Sequence, residues 1–271
     1  MPMAGSAAIT RRTKARSDWS ASRTPADPPP STSPCPRPCP RLDVVSVQYP
    51  GRQDRRHEPG ITDIGAYADA LTSALLPWTD KPLAFFGHSM GAVLAFEVTR
   101  RLERDHGVDP VRVFASGRRS PSSFRHETVH LRDDDGIVAE MRELSGTDAA
   151  ILGDEEILRM VLPAIRSDYT AIENYRAAAG ETIGAPITVL TGESDPRTSA
   201  EEAEAWEAHT RGEFAIHRFS GGHFFLARHQ PRILKIVSEE IAAVTTPRAE
   251  PHTGREAARL TARPALNGQT G

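Results

Sequence analysis

Between residues 43 and 244, short apolar runs alternate with stretches in which apolar positions recur every three or four residues. The runs at 44–47, 83–86, 111–115, 187–190 and 214–219 are rich in Val, Ile, Leu and Phe, the composition of strands buried on both faces. Helical spacing covers 64–76, 92–102 and 233–244. This alternation predicts an α/β protein: a mostly parallel sheet with helices on both faces. From about 121 to 183 the rhythm changes. Three amphipathic stretches, 133–144, 154–162 and 163–176, follow one another with no strand between them, which predicts a helical lid inserted over the sheet. Ordinary peripheral helices are the competing reading.

The two ends have no such pattern. Residues 1–42 hold Pro28-Pro29-Pro30, Pro34, Pro36, Pro38 and Pro40 among Ser, Thr and basic residues. They carry too little apolar surface to offset the entropy of ordering, so an unfolded or atypical segment is expected. Residues 245–271 read as a flexible tail for the same reason, which leaves 43–244 as the folded domain. Hydrophobic residues make up 38% of the chain and charged residues 25%, a globular balance.

A net charge of -3 gives no electrostatic drive toward nucleic acid or anionic membrane, and neither is expected as a partner. No run approaches the roughly 18 apolar residues of a membrane span. The basic residues Arg11, Arg12, Lys14 and Arg16 are not followed by an apolar signal core. A cytoplasmic protein is the expectation. Cys35 and Cys39 are the only cysteines, too few for a four-ligand metal site, and no metal is expected.

The chemistry concentrates in Gly87-His88-Ser89-Met90-Gly91, a G-x-S-x-G motif that directly follows the apolar run at 83–86 and directly precedes the helical spacing at 92–102. A strand must turn sharply into a helix there, lifting the Ser89 hydroxyl out of the sheet edge. The strand-turn-helix context points to the α/β-hydrolase fold, with Ser89 as nucleophile and the Met90 N–H as one oxyanion donor.

A serine hydroxyl is a poor nucleophile at neutral pH and needs a base held in the correct tautomer by a carboxylate. In this fold the chain order is serine, acid, histidine. Asp195 lies in the loop after the run at 187–190, and Pro196 fixes the turn behind it; Glu193 in the same loop is the competing acid. His223, in Gly221-Gly222-His223-Phe224-Phe225, follows the last strand. His88, although adjacent to the nucleophile, reads as a packing residue. The triad alone leaves a carboxylesterase, lipase or peptidase open.

The chain resembles the type II editing thioesterases of polyketide and nonribosomal peptide biosynthesis. The likeness rests on Gln48-Tyr49-Pro50-Gly51-Arg52, on the residues around Ser89, on Ser116-Gly117-Arg118-Arg119-Ser120-Pro121, on 162–169 and on the Gly221 to Phe225 motif. It implies hydrolysis of stalled or aberrant acyl groups from the phosphopantetheine arm of acyl or peptidyl carrier proteins, without a cofactor. In the resembled family an early strand leads into a Pro-His-Ala-Gly-Gly loop that gives the second oxyanion donor. Here only Pro2-Met3-Ala4-Gly5-Ser6 is comparable, and no strand precedes it, so Met3 or Ala4 are the candidates. Losing that donor would reduce turnover, and a binding protein on a hydrolase scaffold is a further reading. An apolar acyl channel under the lid is expected from Met141, Leu144, Met160 and Leu162. Arg118, Arg119 and Arg125 are candidates for meeting an acidic carrier.

Overall fold

The computed structural model describes residues 7–12, 42–144, 154–178 and 180–245. Its sheet comprises β1 (Ala7–Arg12), β2 (Leu42–Ser46), β3 (Leu83–His88), β4 (Arg112–Ser116), β5 (Ile187–Gly192) and β6 (Phe214–Phe219). The spatial order is β2-β1-β3-β4-β5-β6. Strands β3 to β6 are parallel, as the apolar runs predict. They alternate residue by residue between two apolar faces, the pattern of a sheet covered on both sides.

On one face Phe85, Val113, Ala115, Ile187 and Val189 pack beneath α1 (Ile64–Leu75) and α2 (Met90–His106), together with Trp206. On the other, Ala84, Phe114, Leu190 and Phe219 meet Phe225, Ile233, Val237 and Ile241 of α6 (Phe225–Thr245). Each large side chain buried in this way contributes about 1.5–3 kcal/mol. The short α5 (Ala200–Glu204) opens with a capping box between Ser199 and Glu202.

Over the carboxyl edge of the sheet lie α3 (Asp134–Glu143) and α4 (Glu155–Glu173), started by the side chains of Asp133 and Asp154. They form a small core of their own from Val129, Ile137, Val138, Met141 and Leu162. The two separate helices expected at 154–162 and 163–176 are one continuous helix with Pro163 inside it. A proline removes a single donor from the ladder and ends a helix only where packing does not hold the following turn. Here Leu162, Ala164 and Ile172 are buried on both sides of it. The last helix also starts earlier than the predicted 233, at Phe225, and kinks at His229 just before Pro231.

The main correction concerns the amino-terminal segment. Ala7–Arg12, inside the stretch expected to be unfolded or atypical, form a strand between β2 and β3, antiparallel to both. Cys35, Cys39 and the proline-rich residues 13–41 lie outside the described residues, as do residues 246–271 of the tail.

Candidate active site

The elbow between β3 and α2 places Ser89 in a backbone conformation that non-glycine residues rarely adopt, φ 55° and ψ -121°. Its own N–H donates to the Ser116 carbonyl at 2.8 Å, which pins the turn to the end of β4. Gly87 is required because a Cβ there would sit 1.9 Å from the Gly91 carbonyl oxygen, where the strand end crosses the first turn of the helix. Met90 opens that helix, so its N–H has no intrahelical acceptor and is available to a developing oxyanion.

The acid and the base sit on adjacent loops after β5 and β6. These loops are stitched together by the Glu193 N–H on the Phe219 carbonyl at 2.8 Å and the Ser194 N–H on the Gly221 carbonyl at 2.9 Å. Asp195, 8% exposed, receives the Nδ1–H of His223 at 3.1 and 3.0 Å on its two oxygens. A carboxylate only accepts, so this bond fixes the proton on Nδ1 and leaves Nε2 as the free base. The Arg197 N–H also donates to Asp195 Oδ1, at 2.8 Å. Glu193, the competing acid, is exposed. His223 is buried and lines one pocket with Ser89.

His88 supports the base from behind. Its Nδ1 lies 3.0 Å from Ser116 Oγ, and its ring is 4.9 Å from that of His223 and 5.5 Å from that of Phe224. Burial, and secondarily the neighbouring His223, pushes its pKa well below the usual imidazole value. A neutral packing ring is the result. Gly117 has φ +57°, and a Cβ there would lie 2.5 Å from His88 Cε1. Gly117→Ala is expected to cost about 2–4 kcal/mol from the left-handed backbone and the displaced ring. Denaturant unfolding measures the loss, and activity should fall with it as His223 loses its backing.

The pocket is lined by Ser89, Arg118, Glu127, Leu144, Tyr169, Ile172, Arg197 and His223. It is more polar than the apolar channel expected from the lid sequence. Of the four candidates for that channel, only Leu144 lines it. Met141 and Leu162 are buried in the lid's own core, and Met160 is 55% exposed because it falls on the outer side of α4.

The three arginines proposed to meet a carrier are also differently placed. Arg118 and Arg119 are buried, and Arg119 forms a double hydrogen bond to Glu127 at 3.2 and 2.5 Å. Arg125 grips Glu202 at 2.6 Å through two nitrogens and bonds the Pro196 carbonyl at 2.9 Å. Arg119 and Arg125 are paired within the protein, while Arg118 is buried with no carboxylate bonded to it among the described residues.

Sequence reasoning missed the ionic network they belong to. Arg197, two residues after Asp195, bonds Glu127 at 2.7 Å and pairs with Glu140 of α3, tying the acid loop to the lid. Burial alone would raise the Glu127 carboxyl, but the bonds and charge of Arg119, with Arg118 and Arg197, hold its pKa down at about 2. Partners this far apart in the chain leave no local signal.

Among the described residues, no loop after an early strand supplies a second oxyanion donor in the way the resembled family does. Arg11 pairs with Leu83 and Ala7 with Gly87, so the chain after β1 leaves from the sheet edge opposite Ser89. Met3 and Ala4 lie outside the described residues.

A mostly parallel sheet with a strained serine elbow, and an aspartate–histidine pair at its carboxyl edge, define the class as the α/β-hydrolase fold. The thioesterase domain family matches residues 36–241, and the chain belongs to that family. It is 57% identical over 210 residues to a probable cadicidin biosynthesis thioesterase of Streptomyces griseus, covering 77% of this chain and 57% of that protein. It is 44% identical over 201 residues to thioesterase PikA5 of Streptomyces venezuelae, covering 74% of this chain and 72% of that one. The chain thus spans less than two thirds of the first relative and somewhat more of the second. Among solved structures, the type II thioesterase BorB of the borrelidin biosynthetic cluster superimposes with a TM-score of 0.68 at 46% identity, over 74% of this chain and 80% of that one. Among the described residues no helix is long and apolar enough to cross a membrane, and no cluster of three or more His, Cys, Asp or Glu suits a metal ion.

Proposed function

We propose that the protein hydrolyses acyl thioesters on the phosphopantetheine arm of acyl or peptidyl carrier proteins in the cytoplasm, removing stalled or aberrant groups. Ser89 attacks the thioester carbonyl while His223 Nε2 takes its proton. Asp195 holds the ring and stabilises the imidazolium, and the Met90 N–H receives the oxyanion. The thiol departs with the proton returned by His223. Water then enters, is deprotonated by the same nitrogen and releases the acid. A thiolate is a good leaving group, so the second half of the site needs less than an amidase does.

The observation carrying this reading is the His223–Asp195 bond in the same pocket as the Ser89 elbow. The relatives' names supply the leaving group and the pathway context. If Met90 is the sole oxyanion donor, turnover should lie on the order of 100-fold to 1,000-fold below that of an enzyme with two. Acyl-loaded carrier protein and a matched oxygen ester should be compared, with PikA5 as reference. Faster cleavage of the thioester is expected. Preference for the oxygen ester would favour a carboxylesterase. Failure of a fluorophosphonate to label Ser89 would favour a binding protein on this scaffold.

A further inference from the structure

The pocket beside Ser89 contains a buried donor that no acceptor among the described residues answers. Arg118 is held by its backbone, its carbonyl accepting the Trp206 Nε1–H at 2.8 Å, and its side chain is 8% exposed. Its Nε is buried without a hydrogen-bond partner, and among the described residues no carboxylate is bonded to its guanidinium. The nearby acid, Glu127, is already shared by Arg119 and Arg197. Across the pocket stands the half-buried Tyr169 of α4, whose hydroxyl is a second donor in the lining. Leu144 and Ile172 are the only apolar residues of the lining.

A buried donor without an acceptor is costly, by roughly what a lost hydrogen bond to a charged group costs, and a ligand that supplies the acceptor recovers it. A plain hydrocarbon chain would leave the Arg118 Nε bare. A full carboxylate would meet Glu127, which remains ionised in the same lining. A neutral oxygen satisfies the donors without that repulsion.

We propose that this pocket selects acyl groups bearing a neutral oxygen close to the thioester, as in 3-hydroxyacyl and 3-oxoacyl chains, with Arg118 and Tyr169 donating to that oxygen. This rests on the thioester reading above and names its substrate class. Burial drives the Arg118 pKa down to about 9, consistent with a guanidinium lacking a carboxylate of its own.

Binding separates the proposal from turnover. The full chain carrying Ser89→Ala should be titrated calorimetrically with the pantetheine thioesters of butanoyl, 3-hydroxybutanoyl, 3-oxobutanoyl and malonyl groups. The two neutral oxygenated groups should bind about 10-fold to 100-fold more tightly than butanoyl. Adding Tyr169→Phe or Arg118→Met should each remove about 10-fold of that ratio. Tyr169→Phe keeps the ring and deletes only the hydroxyl, so a folding defect in the arginine variant leaves the test intact. Equal affinity for butanoyl and the oxygenated groups, tightest binding of malonyl, or a ratio that survives both substitutions would each overturn it. Hydrolysis by the chain with Ser89 intact is a separate measurement: absence of turnover with the binding ratio preserved would sink the catalytic reading alone.

Discussion

Ser89→Ala is expected to lower kcat for thioester hydrolysis by about 10⁶-fold, with little change in stability or in substrate affinity. The hydroxyl is the atom that bonds the acyl carbon. Its removal leaves the Met90 N–H and the binding pocket, which alone give modest catalysis over water. Nucleophile and base act as one unit, so Ser89→Ala with His223→Ala should be no slower than either alone. The backbone at position 89 remains strained in the variant, since alanine at φ 55° is no better placed than serine. Single-turnover assays on acyl-carrier thioester would measure the loss. A drop of less than 10-fold would mean that another group attacks.

Asp195→Asn should cost about 10⁴-fold in kcat, again without loss of fold. The buried carboxylate accepts the Nδ1–H of His223 through both oxygens, which keeps Nε2 unprotonated for the serine. An amide in its place can turn its NH₂ toward Nδ1, and the imidazole then carries its proton on Nε2, where the base is needed. With both residues buried, water is poorly placed to reverse this. Exposed Glu193 provides the internal control: Glu193→Gln should change kcat less than 2-fold, well under the value of even one good hydrogen bond. If the glutamate variant were the damaged one, the acid would have been assigned to the wrong position.

Much of this was legible in the sequence for local reasons. Strands β3 to β5 announce themselves because both faces are buried, so Leu83 to Phe86 reads as an unbroken apolar run and Ile187 to Leu190 as one interrupted only by Thr188. The nucleophile and base carry glycine signatures that follow from steric crowding, and the acid follows from chain order.

What was hidden depends on partners distant in sequence. Ala7–Arg12 contains a single large apolar residue, Ile9, and its strand character comes from pairing with β2 and β3 on either side. Arg118 and Arg119 look like surface residues until Glu127, Arg197 and Glu140 are brought around them. Met160 and Leu162 have the same composition signal, but two residues along a helix turn to different sides, and one faces solvent.

The placement of β1 makes residues 7–12 a keystone. In the sheet order β2 has no neighbour but β1, so a chain cut after Arg12 would strand β2 and bare one flank of the strand that carries the nucleophile. A naked flank of that kind invites pairing with another molecule. Proteolytic nicking near the amino terminus would therefore tend toward self-association rather than a trimmed enzyme.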